Sequence, residues 1–546
     1  MHGEIMIGGS ARRVWQRDLC QFFTRAEVAR YCLQQLTLPA NILTIKLLEP
    51  AAGHGAFFLP LIPRLANACR AQKCCYNQLR NVISAYEIDS DIAELLRKKS
   101  THLLEVNGIP ISTAKALGRS WIKNEDFLEA NLHSDFSHII SNPPYIRWEA
   151  IPVKLRRSYR KRFSSFKQRA DLYVAFIERA LELLRTDGQL GFLCPGTWTK
   201  NGYGSSIRET LTSRGYLKKI IDFSDVDSFE QSADAYPCFF LFQKDRDGST
   251  EIFAMIDGKR LSRTGDTVRR RFEASSGPLL LSRNNGIVHV LKRAEEKFPK
   301  VEDSGCSVRV GSATGCNEIF LGLAKDLPVE KDRLLPFVNA RSIRNGTVEW
   351  SGTSIVNVFD DSGALVKLAQ FPRLRAYLEA HKESLKARAK ASKSKTWWRS
   401  IDVLHSEWHR SRKLLVVDIS AKPVIGLDAV GYCAGSGVYQ IKSDSWPLDD
   451  LLVLLSAGVL GLFISALSVG ANKSFHRFQK RHICNIRLPK WQDLDQSWRS
   501  RFQTAHGRGH LSDVLEAVAE LYECEPKLLQ TYLARDWQSF SHRPKA

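Results

Sequence analysis

Two consecutive prolines cannot be continued by a sheet, and this chain carries such a pair directly behind an apolar run. His138-Ile139-Ile140 reads as a short strand, and Asn142-Pro143-Pro144-Tyr145 ends it. Each proline ring fixes φ and removes an N–H donor, so the carbonyls around the pair lack sheet partners and can point into a cleft. Asn142 adds a side-chain oxygen beside them, and Tyr145 adds a flat ring. Two acceptors next to an aromatic face form a grip for a planar amino group: the acceptors take its two hydrogens while the ring stacks on its π face. The same tetrapeptide also reads as a proline-rich turn after an edge strand, so its meaning depends on the strands around it.

Upstream, Ile45-Lys46-Leu47-Leu48 reads as a buried strand that runs into Glu49-Pro50-Ala51-Ala52-Gly53-His54-Gly55. Gly53 and Gly55 carry no Cβ, so a ligand can approach the backbone closely where the strand turns into a helix. The third glycine of a dinucleotide fingerprint is missing, and no Gly-Lys-Ser/Thr follows to make a phosphate loop. A second strand, Val82 to Tyr86, ends in Glu87-Ile88-Asp89, and an acidic residue there is where such folds hold ribose hydroxyls. Between them, the stretch with Cys69, Cys74 and Cys75 reads either as a longer helix or as an inserted loop. Asn124-Glu125-Asp126-Phe127 marks a third strand end and Asn142 a fourth. Glu49, Glu87, Asp126 and Asn142 therefore stand at successive carboxyl ends of parallel strands, the place where open α/β sheets bind ligands.

In the order of these motifs, residues 1–245 resemble the N6-adenine DNA methyltransferases of the TaqI-like, gamma-order class, found in type II restriction-modification systems. Phe22-Phe23-Thr24, followed by the helical run Glu27 to Leu36, is similar to the segment that precedes the first strand in that family. The resemblance implies an α/β fold: a Rossmann-like S-adenosylmethionine-dependent methyltransferase sheet, with a C-terminal mixed α+β DNA-recognition domain. It implies S-adenosyl-L-methionine as cofactor, held by Phe23, Thr24, Glu49, Ala51, Gly53, Gly55, Glu87, Asp126, Phe127 and Asn142. Gly53 and its neighbours would lie against the methionine part, Glu87 would hold the ribose, and Asp126 with the Phe127 backbone would contact the adenine. Farther on, Asp171 to Phe176 opens an amphipathic helix and Leu190 to Pro195 reads as the next strand. Phe229, before the apolar run Cys238 to Phe242, resembles the second aromatic that sandwiches a flipped base, although an aromatic before a strand is also ordinary core packing.

The implied catalytic residues are Asn142, Pro143, Pro144, Tyr145 and Phe229. An adenine amino nitrogen is a poor nucleophile because its lone pair is delocalised into the ring. Hydrogen bonds from it to the Asn142 side-chain oxygen and the Pro143 carbonyl would draw it toward sp3 geometry, so that transfer needs positioning and electrostatics more than a strong base. The target base must leave the duplex, and stacking on Tyr145 and Phe229 offsets the cost. A cytosine-C5 mechanism would need a nucleophilic cysteine in a Pro-Cys turn; here Cys194-Pro195 runs in the reverse order inside a predicted strand and reads as core.

The formal charge of +21, from 79 Lys and Arg against 58 Asp and Glu, points to a polyanionic partner, and duplex DNA suits it. One basic cluster follows the diproline and includes Arg156, Arg157, Arg160, Lys161 and Arg162, interleaved with Tyr159, Phe163 and Phe166. A second runs from Lys382 through Arg388, Lys393, Lys395 and Arg399, with Trp397, Trp398 and Trp408 nearby, on to Arg410, Arg412 and Lys413. Charge runs are often only solvated faces, but interleaved aromatics favour nucleic acid.

The chain of 546 residues needs more than one core. The expected division is a methyltransferase domain at 1–245, a linker with hairpins at 246–300, a specificity domain at 301–490 and a helical tail at 491–546. Gly311 to Phe320 and Phe475 to Lys480 carry the looser resemblance of the third part. Leu451 to Ala471 is uncharged and long enough to span a bilayer, yet its glycines and serines favour two shorter buried helices, so no membrane is expected. Met1 to Arg13 lacks an apolar signal core, which places the chain in the cytosol, where the 12 cysteines stay reduced. His476, His482 and Cys484 lack paired ligand spacing, so no metal is expected. The remaining expectations are a monomer and a separate cognate restriction endonuclease as functional partner. Two alternatives stay open: a methyltransferase acting on a ribosomal RNA base or a protein glutamine amide, and a non-catalytic DNA-binding module.

Overall fold

A computed structural model describes residues 22–133, 135–214, 216–231, 237–243, 249–256, 261–272, 277–279, 281–282, 284–388, 396–467, 476–508 and 511–538. Lys393, Lys395 and Phe475 lie outside the described residues. The chain divides into two compact units, Met1–Arg283 and Asn284–Ala546.

The first unit is built on a nine-stranded sheet in the order β3-β2-β1-β4-β5-β7-β6-β8-β9. Its strands are β1 (Leu47–Glu49), β2 (Ile83–Tyr86), β3 (Ile122–Lys123), β4 (Phe136–Ser141), β5 (Leu184–Pro195), β6 (Leu217–Asp225), β7 (Pro237–Gln243), β8 (Ser249–Ile256) and β9 (Ser262–Arg271). β3, β2, β1, β4 and β5 pair in parallel, whereas β7 runs antiparallel to both β5 and β6. Seven helices accompany the described part of the sheet: α1 (Ala26–Gln34), α2 (Ile62–Ala71), α3 (Ser90–Val106), α4 (Ile111–Trp121), α5 (Val153–Arg162), α6 (Leu172–Leu183) and α7 (Ser205–Ser213). Short apolar runs buried on both faces make the parallel strands: Leu47, Leu48, Ile139 and Ile140 are shut away from solvent. Asp89 starts α3 by accepting hydrogen bonds from the amides of Asp91 and Ile92. The strand order reverses between β1 and β4, which opens a crevice at their carboxyl ends.

The stretch between Glu49 and Glu87 resolves into α2 and a 3-10 turn at Tyr76–Asn81. Cys69 and Cys74 are joined by a disulfide, contrary to the expectation of reduced thiols; the left-handed turn at Lys73 (φ 50°) helps bring their Cα atoms to 5.1 Å. Residues 246–300 do not form one linker. β8 and β9 complete the first sheet, because Ile252, Phe253, Ala254 and Met255 are buried there, and the helix Asn285–Lys297 belongs to the second unit.

The second unit contains a six-stranded sheet, with Cys306–Val310, Val438–Ser443, Lys413–Val417 and Ile425–Asp428 as its longer strands, and a four-stranded sheet around Thr353–Val356 and Leu334–Val338. The tail helix Leu511–Leu521 buries Val514, Leu515 and Val518 within the same unit. The apolar segment forms two helices, Leu448–Leu454 and Leu460–Leu467, that break at Ala457 and Gly458 and are mostly buried in the core. Gly458 has φ +103°, and a Cβ there would stand 2.6 Å from the Leu529 carbonyl oxygen. Gly458→Ala is therefore expected to cost at least about 2 kcal/mol and lower the thermal midpoint by several degrees; an unchanged midpoint in differential scanning calorimetry would contradict this account of the break.

Candidate cofactor and target site

The crevice is a pocket with about 980 Å³ of free space, the solvent at its mouth included. Phe23, Thr24, Glu49, Ala51, Gly53, Glu87, Asp126, Phe127, Asn142, Pro143 and Pro144, all singled out by the sequence, line it together. The carboxylates are fixed by backbone donors left over at strand and helix ends. Glu49 Oε2 accepts from the Phe58 amide at 3.1 Å, and Glu87 accepts from Gly53 and Asp89 at 2.9 Å each. Burial holds the Glu49 and Glu87 carboxyls above the usual range. Asp126 accepts from the Leu128 amide at 2.9 Å and from the Tyr159 hydroxyl at 2.7 Å.

Gly53 lines the pocket and turns with φ +49°, and its missing Cβ lets the Phe23 ring pack on it, 3.4 Å from where that Cβ would be. Gly55 is different: it does not line the pocket, and a Cβ on it would collide with Leu59 and Leu96 at 2.6 Å. Its glycine serves helix packing. The His54 ring stacks on Phe23 at 3.7 Å, and burial pushes its imidazole pKa down.

Asn142 donates its Nδ2 to the Phe22 carbonyl at 2.6 Å and to Thr24 Oγ1 at 3.1 Å. Its Oδ1 is buried and has no hydrogen-bond partner among the described residues. Residues 22–25 are in turn stitched to 227–231. Thr24 bridges Phe229, the Arg25 amide donates to the Ser228 carbonyl at 3.1 Å, and the Glu230 amide donates to the Phe23 carbonyl at 2.9 Å. This clamps the Phe229 backbone beside Asn142. Tyr145 is buried, and its hydroxyl donates to the Leu193 carbonyl at 3.0 Å. Neither Tyr145 nor Phe229 lines the pocket, because the Phe22 ring packs against both, at 5.5 and 5.4 Å. Tyr145 and Phe229 meet edge to face, 5.9 Å apart.

Residues 64–229 match the family described as Eco57I restriction-modification methylase. The type II methyltransferase M.PaeR7I of Pseudomonas aeruginosa is 33% identical over 522 residues, covering 92% of this chain and 91% of that protein. The chain belongs to the type II restriction-modification methyltransferases. M.XhoI of Xanthomonas vasicola, a further type II methyltransferase, is 32% identical over 92% of this chain and 96% of its own. Among solved structures, the type IIL restriction-modification enzyme MmeI in complex with DNA shares the fold with a TM-score of 0.59 at 15% identity, covering 97% of this chain and 76% of that one. The fold is thus the α/β sheet of S-adenosylmethionine-dependent methyltransferases that the motif order implied.

In this type II methyltransferase the basic helix α5 exposes Arg157, Arg160, Lys161 and Arg162, while Arg156 is half-buried. The Arg156 and Arg160 guanidinium groups both sit over Trp148, at 5.1 and 4.2 Å. Tyr159, Phe163 and Phe166 are buried in the first unit's core and are not free to stack on bases. Only Tyr159 lies in α5; Phe163 is its extended C-cap and Phe166 follows it, so packing among the three rings beyond the helix end buries them. In the second unit, Arg399 is exposed and Trp397 half-buried under Lys382 at 5.2 Å. Arg388 is committed to the carbonyls of Leu385, Thr314, Trp397 and Arg399. Lys413 is wholly buried in an ion pair with Asp428 at 2.7 Å, so it is core and not surface charge. Phe22, His54 and Tyr159 are site residues that the sequence reading left without these roles; Phe22 and His54 adjoin motif residues, and adjacency was their only signal.

A buried carboxyl with a raised pKa favours the fold fully below the ordinary Glu value of 4.5 and loses that contribution as pH rises toward its folded value. Glu49→Gln keeps an acceptor for Phe58 without the charge. It is expected to raise the thermal midpoint at pH 7–8 by a few degrees and to change nothing near pH 4; equal midpoints at both pH values would contradict the buried-charge account.

Proposed function

We propose that this methyltransferase is a gamma-order, adenine-N6-specific enzyme acting on double-stranded DNA, with S-adenosylmethionine as methyl donor. The observation that carries the reading is Asn142 Oδ1, a buried acceptor without a donor among the described residues, beside the Pro143-Pro144 turn at the edge of the pocket. A buried unpaired oxygen costs about 1–3 kcal/mol unless a ligand completes it, and an exocyclic amine is a donor of the right kind. Within the family named above, this oxygen and the Pro143 carbonyl would take the two amino hydrogens of the target and hold its lone pair toward the methyl donor.

The pocket residues fit the cofactor. Gly53 lines the pocket beside Phe23, where a methionine moiety would pack, Glu87 faces the same space at the end of β2, and Asp126 stands beyond it at the end of β3. S-adenosylmethionine, when bound, supplies an electrophilic methyl group on a sulfonium. The protein's own contribution is to orient and to exclude water: Asn142 is locked by Phe22 and Thr24, and the carboxylates by backbone amides. A flat ring stacked between Tyr145 and Phe229 needs about 7 Å between their planes, twice a van der Waals contact of about 3.5 Å. Here Tyr145 and Phe229 meet edge to face at 5.9 Å with the Phe22 ring packed against both, so the three rings would rearrange when the target enters. Arg156, Arg157, Arg160, Lys161 and Arg162 would meet phosphates, joined by Lys393, Lys395, Trp397 and Arg399 of the second unit. The chain would act as a monomer, with a separate endonuclease as its functional counterpart.

Labelled S-adenosylmethionine and genomic DNA test the reading. Label should appear as N6-methyladenine in DNA and not in ribosomal RNA or in protein glutamine; its absence from DNA N6-methyladenine would sink the proposal. Asn142→Ala should lower kcat by at least about 10²-fold. Tyr145→Ala should weaken transfer by about 1–3 kcal/mol through lost stacking. Unchanged rates in Asn142→Ala would remove the buried oxygen from the mechanism.

A further inference from the structure

Tyr159 belongs to the basic helix α5, yet its ring is buried and its hydroxyl reaches the pocket. That hydroxyl donates to Asp126 Oδ2 at 2.7 Å, while the Leu128 amide donates to Asp126 Oδ1 at 2.9 Å. The carboxylate is gripped at both oxygens and cannot rotate without breaking one of the two bonds. The turn that bears it is tied to the same helix twice more. Ser158 Oγ donates to Glu129 at 3.1 Å, and the Arg162 guanidinium donates to the Ala130 carbonyl at 3.4 Å. The Tyr159 ring is held by Phe163 and by an edge contact with Phe166, so the hydroxyl has a fixed address.

We infer that Tyr159 is the positioning residue for the adenine end of the cofactor, holding the Asp126 carboxylate in the orientation that accepts the cofactor's 6-amino group. The inference rests on the reading that Asp126 faces that adenine. A hydrogen bond from a neutral hydroxyl to a carboxylate is among the stronger ones, and a site built to accept from an amino group discriminates sharply against an analogue that lacks it. The discrimination holds only while the acceptor keeps its orientation. Because the hydroxyl is carried by α5, whose opposite side exposes Arg157 and Lys161, the substrate-facing helix also sets the geometry of the cofactor pocket.

The test is equilibrium binding of S-adenosylhomocysteine and of S-inosylhomocysteine, which carries a 6-oxo group in place of the 6-amino group. Wild type, Tyr159→Phe, Ser158→Ala and Asp126→Ala are compared, with thermal midpoints recorded for each. Wild type should prefer the adenosyl ligand strongly, and Asp126→Ala should lose that preference. Tyr159→Phe, which keeps the ring and its packing, should weaken the adenosyl ligand by about five- to tenfold, the worth of one hydrogen bond, and leave the inosyl ligand within about twofold. Ser158→Ala, which loosens α5 without touching Asp126, should leave the preference intact. Equal losses for both ligands in Tyr159→Phe, or no loss for either, would overturn the positioning role. A wild type that binds neither ligand, or both alike, would instead overturn the assignment of Asp126 to the adenine end and the inference with it.

Discussion

A carboxamide oxygen buried without a donor is tolerated only where its surroundings leave it no alternative, and Asn142 is held in that state from both sides. Its amide nitrogen is committed to the Phe22 carbonyl and Thr24 Oγ1, so the group cannot flip to pair its oxygen. The strand that carries it ends in two prolines, which cannot supply an amide donor from the backbone that follows. Strain of this kind is stored at functional sites and offset elsewhere in the fold. Here the offset comes from the apolar core beneath the sheet, where the rigid strands β1, β4 and β5 pair in parallel.

The clamp on Asn142 depends on a segment distant in the chain. Residues 22–25 reach the site by pairing with 227–231, through the Thr24–Phe229 bridge and the backbone bonds from Arg25 and Glu230. Arg25 reinforces the join by donating from Nε to the Phe229 carbonyl at 2.9 Å and by pairing with Asp227. One join therefore orients Asn142, brings Phe23 over Gly53 and fixes the backbone of Phe229. On the proposed reading, the cofactor side and the target side of the pocket share a wall, and a change at either end of that join disturbs both.

The strand ends were legible because each is punctuated by residues with a single physical reading: prolines that stop a ladder, glycines at positive φ, and acidic side chains beside unpaired amides. The parallel sheet and the grouping of Glu49, Glu87, Asp126 and Asn142 followed from that punctuation. What stayed hidden depends on contacts between distant residues. Nothing local distinguishes Lys413, wholly buried against Asp428, from its exposed neighbours Arg410 and Arg412. Gly55 looked like Gly53, but Gly53 lines the pocket and Gly55 is wedged against Leu59 and Leu96. β8 and β9 read as linker because their polar connections outweighed four consecutive buried residues, Ile252 to Met255. The packing of Phe22 against both Tyr145 and Phe229 comes from the 22–25 join, which no sequence window contains.

The aromatic cluster and the clamp answer two demands that conflict in any site meant for a flat ring. An empty slot between aromatic faces exposes apolar surface to water, whereas a slot closed for good admits nothing. Phe22, Tyr145 and Phe229 satisfy the first demand by packing on one another. The second is met because the Phe22 backbone carbonyl accepts from Asn142, while its side chain belongs to the aromatic cluster. Rotation about χ1 swings the ring away without moving the carbonyl, and the neighbouring bridge from Thr24 to Phe229 keeps that backbone in place. On the proposed reading, the three rings rearrange while the amide that recognises the target keeps its orientation, so recognition is prepared before the target arrives.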